Sequence, residues 1–158
     1  MRRIEAAITI EADIQTVWEA MVMTGQYPEW NSFIPKVETS VDPPTVGTVM
    51  QFTVCWADGS TQKSGELVRV FNPPHQSESG LTAEWSYSFK SFLSAIGMVR
   101  AIRKQILTQT TDGYTAYETF EEFRGWGTAF LPYDKVQEGF NRQAEALKAR
   151  CEHILATQ

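Results

Sequence analysis

Histidine and cysteine are scarce in this chain, with two of each among 158 residues. Cys55 stands in a strand pattern and Cys151 in a helical one, neither in a CxxC pair nor beside a histidine at metal-ligand spacing. That placement favours two buried free thiols over one disulfide. His75 follows two prolines, and His153 lies near the end of a helical pattern, where it can meet the helix dipole. No metal and no cofactor is expected. Basic residues are also in the minority: 14 Lys and Arg against 19 Asp and Glu give a net charge of −5. That balance argues against a nucleic-acid backbone or an anionic membrane surface as partner. Long apolar runs are missing too, since nothing approaches the ~20 residues that cross a bilayer. The first residues alternate like a strand rather than like a signal peptide. The expectation is a cytoplasmic protein without stable membrane insertion.

Large rings, in contrast, are plentiful: five Trp, five Tyr and nine Phe. A chain of this length can bury a sizeable core, and with no internal repeat or linker it reads as one domain over 1–158. Ile4, Ala6, Ile8 and Ile10 alternate with polar residues, as in a half-buried strand. Asp13 has the chemistry of an N-cap, and Ile14, Val17, Trp18 and Met21 form the apolar face of a helix stopped at Gly25. QYPEW breaks at Pro28, and a second helical turn is expected within Trp30–Pro35, with Asn31 as its cap. Val37–Val41 make a short strand, and Gly47 opens a longer one with Met50, Phe52, Val54 and Trp56 on one face. Asp58-Gly59 signals a hairpin. The return strand, about 61–71, is expected to close at Asn72-Pro73-Pro74, and 76–88 form the next. Residues 89–98 fit a loop, a short helix or a mobile lip. A strand from about 99 to 110, a turn at Asp112-Gly113 and a strand to about 124 follow. After Gly125-Trp126-Gly127, a helix of nearly thirty residues carries the stripe Val136, Phe140, Ala144, Leu147, Cys151 and Ile154. Pro132 suits its first turn.

The order is α+β: a strand, one or two helices, about six antiparallel strands and a long helix. A twisted sheet covered mainly by one long helix curves away from it, and the gap is filled either by large side chains or by a ligand.

The residues Val17, Trp18, Tyr27, Pro28, Trp30, Asn31, Phe33 and Ile34 resemble the opening segment of the START-like (SRPBCC) superfamily of polyketide cyclase/dehydrase and lipid-transport proteins. Gly47 resembles its strand-opening glycine, and Pro73–Pro74 its post-strand proline. Phe123-Arg124-Gly125 is similar to its Phe-x-Gly before the terminal helix, and FNRQAEALKARCE to that helix. The resemblance implies the helix-grip (START/Bet v 1-like) fold, a curved antiparallel sheet around a long C-terminal helix. Members bind sterols, lipids, polyketides or hormones; some cyclise, dehydrate or hydrolyse, and others act as co-chaperones. The matching residues are scaffold residues and carry no catalytic signature.

Arg103 is the first candidate for chemistry. If Leu107 points to the core, then Gln105 and Arg103 point there as well, and a buried guanidinium needs a partner or a ligand anion. The opposite parity would bury Ile102 and Ile106 and leave Arg103 in water. Tyr117, Thr119 and Glu121 share a strand face, so an inward Phe123 brings Glu121 inward, where an ion pair with Arg103 would position or protonate a carbonyl. Alternatively that pair is buried and satisfied without a further role, or the two acids Glu121 and Glu122 are simply solvated. Trp30, Trp56, Trp85, Tyr87 and Trp126 are candidate ligand contacts, since flat rigid rings with a polar handle suit an apolar oxygenated ligand. For any single one of these rings, packing in the core is the favoured reading.

Three functions stand open. In the first, a cofactor-free enzyme of the polyketide cyclase/dehydrase kind holds a small hydrophobic or aromatic molecule. Arg103 stabilises negative charge there, and Tyr117 or Glu121 moves a proton. The second is a non-catalytic carrier of lipids or secondary metabolites, and the third a co-chaperone-like interaction module. Monomer and homodimer both fit.

Overall fold

A computed structural model describes residues 1–157. Strand β1 (Arg2–Ile10) buries Ile4 and Ile10 and turns Arg3, Glu5 and Thr9 outward, following its alternation. Asp13 accepts from the Thr16 amide at 2.9 Å and starts helix α1 (Ile14–Val22), which buries Ile14, Val17, Trp18 and Met21. The helix ends before Gly25 is reached. Gly25 has another role: a Cβ there would come within 2.6 Å of an Asp42 carboxylate oxygen, which accepts its amide hydrogen at 3.1 Å.

The next helical turn lies earlier than expected. Helix α2 is Tyr27–Trp30, with Pro28 inside its first turn, where a missing N–H leaves no bond unmade. Asn31 follows it, and its Oδ1 accepts from the amides of Phe33 and Ile34. Strand β2 is only Lys36–Glu38, shorter than Val37–Val41. Strands β3 (Val49–Cys55) and β4 (Thr61–Ser77) form the hairpin around Asp58-Gly59. Strand β4 does not close at the prolines. It runs on to Ser77 with a register slip between Asn72 and His75, which leaves Pro73 and Pro74, having no N–H for the ladder, outside the pairing. His75 therefore belongs to a strand, not a loop, and β5 starts at Gly80 and ends at Phe89.

The ambiguous segment forms one helical turn, α3 (Phe92–Ala95), capped by reciprocal bonds between Ser91 and Ser94. Strands β6 (Arg100–Gln109) and β7 (Thr115–Arg124) follow, then helix α4 (Tyr133–Ala156) with Pro132 just outside it. At 24 residues α4 is shorter than expected.

All seven strands form one antiparallel sheet in the order β1-β7-β6-β5-β4-β3-β2. It curves around α4 in the helix-grip arrangement. Phe140, Ala144, Leu147 and Cys151 are buried along the helix, with Val136 and Ile154 half-buried at the ends of the stripe. Both cysteines are free, although Cys55 is only half-buried. Gly139 interrupts the helix interior, where glycine costs about 1 kcal/mol relative to alanine. A Cβ at Gly139 would collide with the Phe33 ring, so the glycine lets that ring lie against the helix backbone and meet Phe140 edge-on at 6.1 Å. Helix α4 leans toward β1 and α1, which leaves part of the concave face of β3–β7 uncovered by it.

Candidate functional site

That uncovered part is a cavity of about 160 Å³. Phe52, Val54, Phe89, Phe123, Val136 and Phe140 form most of its apolar wall, and Phe33 closes it from the segment after α2. Trp56, Gln62, Leu131 and Pro132 line its more exposed end. On that side Lys135 and Asp58 form an ion pair at 3.3 Å, tying the tip of the β3–β4 hairpin to the first turn of α4.

The polar groups of the wall come from four neighbouring strands. Antiparallel register sets Arg103 opposite both Tyr87 and Glu121, and directly opposed residues share a face of the sheet. Glu66 and Ser64 reach the same cavity from β4. Ala101, Arg103, Gln105 and Leu107 are all buried, so the inward parity of Arg103 is the one realised.

Arg103 is 3% exposed. Its Nε donates to Thr119 Oγ1 at 2.9 Å and its Nη1 to the Tyr87 hydroxyl at 3.2 Å. The guanidinium carbon lies 4.0 Å over the Phe140 ring. Nη2 is buried and has no partner. The expected ion pair with Glu121 is not formed: the two residues are opposed in register, yet the guanidinium bonds go to hydroxyls instead. Burial works against the Arg103 cation, but the facing Tyr87, Tyr117 and Glu121 hold its pKa above the ordinary arginine value.

Burial raises the pKa of both acids. The Glu121 carboxyl is pushed up to about 7 although Arg103 pulls the other way. Glu66 is raised well above its usual range, first by burial and then by the Glu121 charge, against the pull of the Ser64 hydroxyl, which donates to it at 2.9 Å. The site thus holds one permanent cation and two acids whose burial favours the protonated form.

The remaining candidates divide by position. Trp56 and Tyr87 line the cavity. Tyr117 and Gln105 do not: they form the floor beneath Arg103, where the Tyr117 hydroxyl donates to Gln105 Oε1 at 2.7 Å and Gln105 Nε2 reaches Tyr87. Trp85 is fully buried outside the cavity lining, its indole N–H donating to the Pro44 carbonyl at 3.3 Å. Trp30 packs edge-on against Tyr27 on α2, away from the cavity. Trp126 is 67% exposed, while the glycines on either side of it pack against Gly97 and Met98.

Glu66 is the residue that sequence reading missed. Its signal was the Asp58-Gly59 hairpin: extending the register from that turn pairs Phe52 with Ser64 and Met50 with Glu66, which places Glu66 on the buried face of β3. Among the described residues, no group of three or more His, Cys, Asp or Glu is disposed to hold a metal ion.

Seven curved antiparallel strands gripping a long helix around an apolar cavity define a protein of the helix-grip, Bet v 1-like fold. Solved structures of that fold superpose over nearly the whole chain. Ginseng major latex-like protein 151 from Panax ginseng matches with a TM-score of 0.72 at 10% identity, over 94% of this chain and 96% of its own. The protein XoxI from Bacillus cereus matches with 0.65 at 15%, over 98% and 99%. Norcoclaurine synthase from Thalictrum flavum, solved with dopamine and hydroxybenzaldehyde, matches with 0.64 at 13%, over 99% and 88%. No family model matches the sequence, and no curated protein matches it. At these identities the likeness establishes the fold.

Proposed function

We propose that the cavity binds a compact, apolar, carbonyl-bearing molecule of about one ring and moves protons on it without a cofactor. The observation that carries this reading is Arg103: buried in the cavity wall, hydrogen-bonded on two sides, and left with an unpartnered Nη2 beside two acids of raised pKa. An unsatisfied buried donor is costly, and a ligand oxygen would offset that cost.

Size narrows the ligand. A cavity of roughly 150 Å³ walled by apolar side chains holds one benzene ring, and drug-sized pockets start near ~300 Å³. A space of about 160 Å³ therefore suits a single ring better than a sterol or a long acyl chain. The single-ring partners of norcoclaurine synthase support the idea that this fold accommodates such molecules.

The chemistry follows from these three ionisable groups. Arg103 donates a hydrogen bond to the carbonyl oxygen and stabilises the enolate that forms. Glu121, its carboxyl pushed up to about 7 by burial, takes in its ionised form the proton from the carbon next to that carbonyl. Glu66, protonated, returns a proton to a β-hydroxyl as the C–O bond breaks, so that a hydroxyketone leaves as an enone plus water. Proton exchange with solvent then resets the two acids.

The test uses hydroxyacetophenone as probe, with calorimetry for binding and NMR for deuterium uptake at its methyl group. The expected result is binding, with exchange above the buffer rate. Arg103→Ala should lower exchange by about 10²–10³-fold, and Glu121→Gln should abolish it while binding persists. Binding without exchange would leave a carrier. No binding, together with tight binding of a long-chain fatty acid, would overturn the single-ring reading.

A further inference from the structure

The opposite, convex face of the sheet has a depression of its own, a groove of about 400 Å³ beneath α3. Three cations and three hydroxyls converge on it: Arg69, Lys90 and Arg100 with Ser88, Ser91 and Ser94. No acidic residue lines it. The sequence around it has the same bias. Trp85 to Thr111 contains no Asp or Glu, although acids outnumber bases over the whole chain.

The arrangement is built by the sheet. Val68 and Val70 pair with Tyr87 and Ser86, so Arg69 is the extra residue of a bulge, and a bulge re-aims the side chain it carries. Arg69 Nε donates to Ser88 Oγ at 2.9 Å, which orients the guanidinium and leaves its other nitrogens free. Ser88 in turn sits opposite Ile102 in the β5–β6 register, next to the start of β6 that supplies Arg100. Among the described residues, none of the three cations belongs to an ion pair. Like charges gathered in one groove repel, and an anion held between them reverses the sign of that interaction. The Ser94 hydroxyl already donates to the Ser91 carbonyl at 2.8 Å, but the arginine forks, the lysine point charge and the Ser88 and Ser91 hydroxyls still offer more donors than the two oxygens of a carboxylate can use, and they match the several oxygens of a phosphate.

The groove's surroundings indicate what could carry the phosphate. Phe92, Leu93 and Ile96 of the α3 segment are exposed at 75%, 38% and 46%, and on the adjoining loop Trp126 and Phe130 are exposed at 67% and 83%. The Gly127 amide donates to the Met98 carbonyl at 2.8 Å, which joins the two loops. Exposed aromatic and aliphatic side chains beside unpaired cations are the composition of a surface that rests on anionic lipid. The net charge of −5 argues against such a partner only as an average over the molecule; this end has the opposite local sign.

We propose that the groove formed by Arg69, Lys90 and Arg100 is a phosphate-binding site, flanked by an apolar rim suited to a phosphate borne by a lipid. It is separate from the cavity, and its test leaves the cavity residues untouched. Two probes distinguish the source of the phosphate. Inorganic phosphate is titrated into the full chain and followed by amide chemical shifts, with chloride at matched ionic strength as reference. Flotation then compares neutral phosphatidylcholine vesicles with vesicles doped either with phosphatidic acid or with a fatty acid of equal charge. The expected result is phosphate-specific shifts around Arg69, Ser88 and Arg100, and flotation with phosphatidic acid alone. Lys90→Ala/Arg100→Ala should weaken both by about tenfold or more, since charge-assisted bonds are lost, and Trp126→Ser/Phe130→Ser should weaken flotation only. Phosphate binding without flotation supports the site and makes a soluble phosphate ester its ligand. Three results would each overturn the proposal: chloride reproducing the shifts, the fatty-acid vesicles binding equally, or the double alanine variant retaining full affinity for every probe. Arg69 is left intact because of its bond to Ser88, and both altered cations are exposed, so circular dichroism melting serves as the folding control.

Discussion

The inner cavity and the outer groove are carried by the same strands, and share Phe89 and Ala101 in their walls. They treat charge in opposite ways. Inside, one guanidinium is fixed by two hydroxyls and an aromatic face, and the acids near it answer burial by holding their protons. Outside, three cations stand together without an acid, because water screens their repulsion. A low-dielectric wall makes protonation the adjustable quantity, whereas a wet wall leaves charge in place and makes the bound counter-ion adjustable.

The strongest way to break the inner half of this contrast is Phe140→Ala. Phe140 is 2% exposed and covers the Arg103 guanidinium. Its loss should cost about 3–5 kcal/mol in urea unfolding, as for other buried aromatics. A cost below about 1 kcal/mol would mean that the cavity collapses freely and is not held open by its walls.

Next comes pH. Glu121 has an ordinary pKa of 4.5 when unfolded and about 7 when folded, so between those values the folded state keeps a proton that the unfolded state has lost. The Glu121 contribution to stability is therefore full below about pH 4.5 and is lost as pH rises through 7, by something on the order of 3 kcal/mol. Glu66, raised further, acts with the same sign. Unfolding curves at several pH values should show this decline, and Glu121→Gln should flatten the part ending near pH 7. A stability that rises across that interval would contradict the assignment.

Gly139→Ala should come third. The added methyl meets the Phe33 ring, and overpacking of this kind costs about 1–3 kcal/mol despite the better helix propensity of alanine. Calorimetry should also report altered hydroxyacetophenone binding, since Phe33 lines the cavity. The smallest effect belongs to the outer face: Trp126→Ser should change stability by no more than about 0.5 kcal/mol, as exposed substitutions do. A larger loss would mean that this ring is structural and not free for a partner.

Much of the fold was readable in the residues. The alternation of Ile4 to Ile10, the Asp13 cap and the two Asp-Gly turns each act over a few residues, and each produced the element expected. Prolines misled where their effect depended on neighbours. Pro28 was absorbed into the first turn of α2, and Pro73–Pro74 into a strand whose partner could skip them. The site was harder to read. Arg103 had two possible parities, and an inward one depended on what lay across the strand. The five aromatic candidates were equivalent as residue types, yet one ended in full burial, two at the cavity, one on α2 and one in water.

Period, capping and turn chemistry are local, and so the residues alone set the order of elements, the hairpins and the pairing of a curved sheet with one long helix. Long-range pairing brought Glu66 and Glu121 beside Arg103 on one face of the sheet, and Arg69, Lys90 and Arg100 together on the other. Those groups lie on different strands, and their meeting depends on register, a single bulge and the curvature that leaves part of the sheet uncovered by the helix.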